Sequence, residues 1–123
     1  MISDEIGKLL GLMALADNRK PPEDEEGQVA MIAFWLSMVG DLDYADAATA
    51  VQEHYRESRE WIMPSDIRRR VKEMRAERLK ANPPPAPPAE LLDDPVAYRA
   101  ALRESTEAIA SGQHGQRAIG GGS

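Results

Sequence analysis

The stretch VAMIAFWLSMVGDLDYADAATAVQEHYRESREWIMPSDIRRRVKEMR, Val29 to Arg75, holds two apolar helical patterns, a Trp61-Ile62-Met63-Pro64-Ser65-Asp66-Ile67 junction and a basic helix, with almost no spare residues between them. In the first pattern Val29, Met31, Ile32, Phe34, Trp35, Leu36, Met38 and Val39 occupy most of the helix circumference, which predicts a helix packed on several sides at the centre of the core. Gly40 is expected to end it in the left-handed conformation, and Asp43 to cap the next helix, with Asp46 in its first turn. There Tyr44, Ala48, Val51 and Tyr55 are spaced by four, three and four residues and share one face. Pro64 disfavours helical geometry at Met63, so Trp61-Ile62-Met63 is expected to be an extended connector laid across the core, with Ser65 or Asp66 capping a fourth helix. That helix has a narrow apolar seam, Ile67, Val71 and Met74, opposite Arg68, Lys72 and Arg75. The fold class this describes is all-α.

Upstream, Ser3 is placed to cap a first helix in which Ile6, Leu9, Leu10 and Met13 recur at helical spacing, ending near Asp17-Asn18. Gly7 and Gly11 give a Gly-x-x-x-Gly spacing that suits close packing of two soluble helices. Pro21-Pro22 forbids continuation, and Glu23 to Glu26 suits the first turn of the helix through Val39. The first 81 residues therefore read as a small four-helix bundle. Residues 82–90 are proline-rich and favour an extended spacer. Residues 91–123 read as a largely disordered, flexible tail with one marginal helix over 95–110, started by an Asp94 cap and Pro95 at the first helical position. The glycine-rich end, Ser111 to Ser123, is expected to be flexible.

At 123 residues, with 42% hydrophobic content and no cysteine, the chain has room for one modest core without disulfides or thiolate chemistry, as suits a reducing cytoplasm. The net charge of −6 is unevenly spread. Residues 65–81 carry seven basic and three acidic side chains, while each of the other regions is acidic. Wholesale coating of nucleic acid is disfavoured, and direct DNA contact is expected to be weak or absent outside that one helix. Asp4 and Glu5 stand where a secretory signal carries positive charge, and no apolar run approaches a membrane span.

Catalytic signatures are missing. There is no phosphate-binding loop, and the two histidines, His54 and His114, lie far apart in sequence, so neither a metal site nor a Ser-His-Asp arrangement can be argued. Nothing points to a cofactor or a small-molecule ligand, and a non-enzymatic role is expected. Three features carry functional content. The basic helix 66–80, with Arg68, Arg69, Lys72 and Arg75 exposed, offers contacts to DNA or to an acidic partner, or is simply a solvated face in which Glu73 pairs with Arg69. Trp61 is either a protein-binding anchor or a structural part of the connector. The tail is either a recognition segment that folds on its partner or a plain disordered end.

The order of an aromatic-Leu helix (Phe34-Trp35-Leu36), an acidic cap with an aromatic (Asp43-Tyr44), an Ala-rich helix ending near His54-Tyr55, then Trp61, Pro64 and Asp66-Ile67 resembles the small phage proteins that load and inhibit the replicative DNA helicase. The likeness covers somewhat under half of the chain. It implies a helical N-terminal domain framed by Trp35, Tyr44, Val51, Tyr55, Pro64 and Ile67, followed by a flexible C-terminal segment. The implied role is to bind the hexameric replicative helicase, hold it inactive and deliver it to an origin complex with an initiator protein, in the host bacterial cytoplasm. Carried onto this sequence, the implied helicase-binding residues are Leu91, Leu92, Tyr98, Leu102 and Ile109. In the tail the likeness is one of layout, and the long proline run is particular to this chain. The reading from the residues alone that competes with it is a small helical DNA-binding regulator using helix 66–80.

Overall fold

The computed structural model describes residues 1–112, and these are all-helical, without a strand. The elements are α1 (Ser3–Asp17), α2 (Glu25–Val39), α3 (Tyr44–Glu57), α4 (Pro64–Ala81), a short 3-10 helix (Ala89–Asp93) and α5 (Pro95–Ala110). The expectations for His114 and for the glycine-rich end beyond residue 112 lie outside the described residues. Backbone contacts divide the chain into two compact units, Met1–Lys72 and Glu73–Ser123, with the boundary inside α4.

In the first unit α1, and not α2, is the central helix. It packs against both α2 and α3, and its Ile6, Leu9 and Met13 are fully buried. From α2 only Trp35 and Val39 are buried, while Val29, Phe34 and Met38 are exposed. Apolar residues all round a helix do not distinguish one packed on every side from one that turns an apolar face outward. Val39, Ile62, Ile67 and Val71 complete the large fully covered side chains of this unit, each contributing about 1.5–3 kcal/mol of hydrophobic stabilisation.

The helix ends obey local chemistry, with three departures from the sequence reading, and the buried face of α3 is a fourth difference. Ile2, not Ser3, caps α1: it is extended, and its N–H donates to the Glu5 carboxylate at 2.9 Å. Gly40 is right-handed (φ −63°), and its glycine requirement comes from proximity, since a Cβ there would overlap the Leu36 carbonyl oxygen. On α3 the buried residues are Asp46, Ala47, Ala50, Val51 and His54, so Tyr44, Ala48 and Tyr55 sit half-covered at the margin. Pro64 is itself the first residue of α4, where its missing N–H costs nothing. The Met63 carbonyl accepts from Asp66 and Ile67, and Asp66 Oδ2 accepts from the Met63 N–H at 2.9 Å. Neither Ser65 nor Asp66 is the cap, because the helix has already begun before them. The caps at Asp24, Asp43 and Asp94 each accept a backbone N–H three residues on.

Gly7 and Gly11 do not serve close helix packing, for a Cβ built on either meets nothing within 4 Å. They open instead onto a groove of about 290 Å³ between α1 and α2, lined by Leu10, Ala14, Met31 and Ile32 and bordered by Lys20 and Gln28.

Candidate functional site

The most constrained polar cluster lies where α1 turns toward α2. Asn18 takes the left-handed conformation (φ 58°) that ends α1, and this bend brings Arg19 back over the last helical residue. The Arg19 guanidinium meets the Asp17 carboxylate through Nε (3.0 Å to each oxygen) and Nη2 (2.6 Å). The Tyr55 hydroxyl, from α3, donates to the same carboxylate. That hydroxyl accepts from the Ile62 N–H at 3.1 Å, and Arg19 Nη2 donates to the Ile62 carbonyl at 3.2 Å. One cluster thus satisfies both backbone groups of Ile62, the connector residue that is fully buried. The guanidinium also faces the Trp61 ring at 4.9 Å and the Trp35 ring at 5.9 Å, within range of cation–π attraction.

Electrostatics follow from this geometry. The Asp17 side chain is 1% exposed. Burial alone pushes its carboxyl up, but the hydrogen bonds from Arg19 and Tyr55 outweigh that and hold it at about 2. Burial, with the hydrogen bond to Asp17 added, raises the Tyr55 phenol. Both Asp17 oxygens, the Tyr55 hydroxyl and Arg19 Nε and Nη2 have protein partners, so the cluster is a structural clasp. Its neighbour His54 plays a similar part, with Nε2 donating to the Glu60 carbonyl at 2.6 Å and its ring edge-on to Tyr55. Among the described residues no group of three or more His, Cys, Asp or Glu side chains could hold a metal ion, and no helix is long and apolar enough to cross a membrane.

The residues singled out on α4 divide by partner. Arg68 binds Asp41 through both terminal nitrogens (2.6 and 3.0 Å) and reaches the Met38 carbonyl at 3.1 Å. The hydrogen bond to Arg68 lowers the Asp41 carboxyl, and its counterpart raises the guanidinium. Arg70 meets Glu57 at 2.9 Å and Glu53 at 3.7 Å. Arg69 pairs with Asp66 at 3.9 Å rather than with Glu73. Lys72 is exposed. Of the connector triplet, Trp61 is 56% exposed and Met63 is likewise open, while Ile62 alone is buried.

In the second unit, Arg75 pairs with Glu107 at 2.5 Å, and Arg78 Nη1 donates to the Ala110 carbonyl at 2.9 Å. The C-terminal end of α5 is thereby tied to the last turns of α4. Of the residues assigned to partner binding, Leu91 and Tyr98 are half-buried, Leu92 and Leu102 are exposed, and Ile109 is buried. Val96, 75% exposed and absent from the sequence-based assignment, joins Leu102 beside Arg99 and Arg103 around a shallow depression. Its position one residue after the Pro95 start, off the Tyr98-Leu102-Ile109 strip, concealed it. The clasp residues Asp17 and Arg19 were likewise missed. Their only sequence signal is an acid and a base flanking a helix-ending Asn.

No family model, curated protein or solved structure matches the chain.

Proposed function

We propose that this chain is a non-enzymatic adaptor of the helicase-loading type: a four-helix bundle formed by α1 to α4 presents an arm, from Leu91 onward, that binds the hexameric replicative helicase, holds it inactive and delivers it to an origin complex containing an initiator protein. The observation that carries this reading is the exposure of Leu92, Val96 and Leu102 past the proline-rich segment, near the start and middle of a helix that Arg75 and Arg78 hold at its C-terminal end. Large aliphatic side chains left in water cost solvation free energy that burial against another protein recovers. An arm that completes its ordering only on the helicase gives up part of the contact free energy, which keeps the complex releasable. The bundle, on the same chain, then holds a second partner at raised effective concentration.

Direct DNA recognition through helix 66–80 draws less support, because carboxylates already engage Arg68, Arg69, Arg70 and Arg75. The deciding experiment is co-elution with purified hexameric replicative helicase. The wild-type chain should co-elute and slow unwinding, and Leu92→Ser with Val96→Asp should abolish both at unchanged helix content. Retention by the double variant refutes the arm assignment.

A further inference from the structure

From Gly27 through Gly40 no side chain is charged, yet along the whole of α2 one side faces water. Glu26, Val29, Ala30, Ala33, Phe34, Ser37 and Met38 are all exposed, a set that repeats every three or four residues and therefore forms one continuous face. Gln28, also exposed, lies off this face and turns back to the Pro22 carbonyl at 3.0 Å. Val29, Phe34 and Met38 are 62%, 56% and 41% exposed. A solvated helix face ordinarily carries charge, and an apolar one of this length is a face that something covers. Past Glu26 the only polar side chain on the face is Ser37, whose hydroxyl already donates to the Phe34 carbonyl at 2.6 Å, so covering it strands no donor.

We infer that the occupant is a second copy of this chain, packed α2 against α2 in antiparallel fashion about a twofold axis near Ala33. The small side chains Ala30, Ala33 and Ser37 run down the middle of the face, where two helix backbones approach most closely, and Val29 on one flank and Phe34 and Met38 on the other interdigitate with the partner's. The two ends of the face differ in charge. Asp24, Glu25 and Glu26 stand at its start, whereas over its end lies the Arg68–Asp41 ion pair, in which the two charges offset each other and Arg68 also donates to the Met38 carbonyl, with 46% of the Arg68 side chain still open to a second carboxylate. Glu26 and Gly40 are equally far from Ala33 along the helix, about 10 Å at 1.5 Å per residue. Antiparallel pairing therefore sets Glu26 of each copy level with the Arg68 end of the other, and it opposes the helix dipoles favourably. A twofold interface requires such a self-complementary patch. Parallel pairing would instead bring the acidic runs Asp24-Glu25-Glu26 of the two copies together.

The test uses the full chain, whose lack of cysteine makes single-cysteine variants unambiguous. Light scattering at micromolar concentration should return twice the 13.5 kDa chain mass, and Phe34→Asp should halve it with helix content by circular dichroism unchanged. Under mild oxidation Ala33→Cys should form a covalent dimer, whereas Leu15→Cys, also exposed but on α1, should not. Glu26→Arg and Arg68→Glu should each be monomeric alone and associate when mixed, since the mixed pair restores opposite charges at both ends. A wild-type monomer throughout, equal cross-linking of the two cysteine variants, or no association on mixing overturns the inference. A wild-type monomer whose helicase co-elution is lost with Phe34→Asp would overturn it in favour of a different protein on this face. Val96→Asp should leave the dimer intact, so this outcome is separable from that of the adaptor reading.

Discussion

The hydroxyl of Tyr55 donates its proton to the carboxylate of Asp17, joining the end of α1 to the last turns of α3 across 38 residues of sequence. Because the same hydroxyl receives the Ile62 N–H, Tyr55 orders the entry to α4 as well. Tyr55→Phe keeps the ring and removes these two bonds and the longer one from Arg19 Nη2 at 3.5 Å, leaving the Ile62 N–H without its partner. The expected loss is about 1–3 kcal/mol, read as a lowered denaturation midpoint at unchanged slope. Asp17→Asn should cost more, about 3 kcal/mol, because it leaves the Arg19 guanidinium largely covered without a counter-charge. Equal stability of wild type and Tyr55→Phe would show that the clasp contributes nothing.

Acid should reveal the same carboxylate. Asp17 sits at about 2 in the folded protein against an ordinary value of 3.8. The folded state therefore holds fewer protons than the unfolded chain in the interval between these values. The stabilisation is complete above the unfolded value and is lost as the pH falls through the folded one, a difference of about 2 kcal/mol at 1.36 kcal/mol per pH unit. Denaturant midpoints measured from about pH 5 down to about pH 2 should fall more steeply for wild type than for Asp17→Asn.

Gly7→Ala and Gly11→Ala should each stabilise the protein by about 0.5–1 kcal/mol, because alanine restores helix propensity at positions where an added methyl meets open space. Thermal unfolding should shift upward for both. A downward shift would mean that the groove they line closes in solution.

Ile62 and Trp61 are adjacent and should respond in opposite measure to their size. Ile62→Ala empties a fully buried position and should cost about 2–5 kcal/mol. Trp61→Ala removes a half-open ring whose described partner is the Arg19 guanidinium, and should cost about 1 kcal/mol or less. Chemical denaturation of the two variants gives the comparison directly.

Local chemistry made much of the helix layout legible. The Asp43 cap and the Asp94-Pro95 start are written within four residues, so α3 and α5 begin where expected. Local rules misplaced the start of α4 by little, since Pro64 fits a first helical turn as well as the residue before one. The identity of the central helix was not legible. α2 is richer in large apolar residues than α1, but Val29, Phe34 and Met38 face outward, and composition does not distinguish residues buried by their own chain from residues left open to water. The clasp was hidden for a different reason. Asp17 to Tyr55 and Arg19 to Ile62 are pairings over 38 and 43 residues that no periodicity encodes. The basic stretch was legible as charge, but apart from Asp66 on α4 itself the acids that pair with it lie on α3, on α5 and after α2.

Residues 58–63 have no regular secondary structure, yet their backbone is bonded at the Ser58, Glu60 and Ile62 amides and at the Glu60 and Ile62 carbonyls. A protease must draw several residues into an extended strand within its cleft, and here that means surrendering all of those bonds together with the burial of Ile62. Arg59, though exposed, is thus a poor site for tryptic nicking of the native chain, and cleavage there becomes a clock for the opening of this connector and the side chains that hold it.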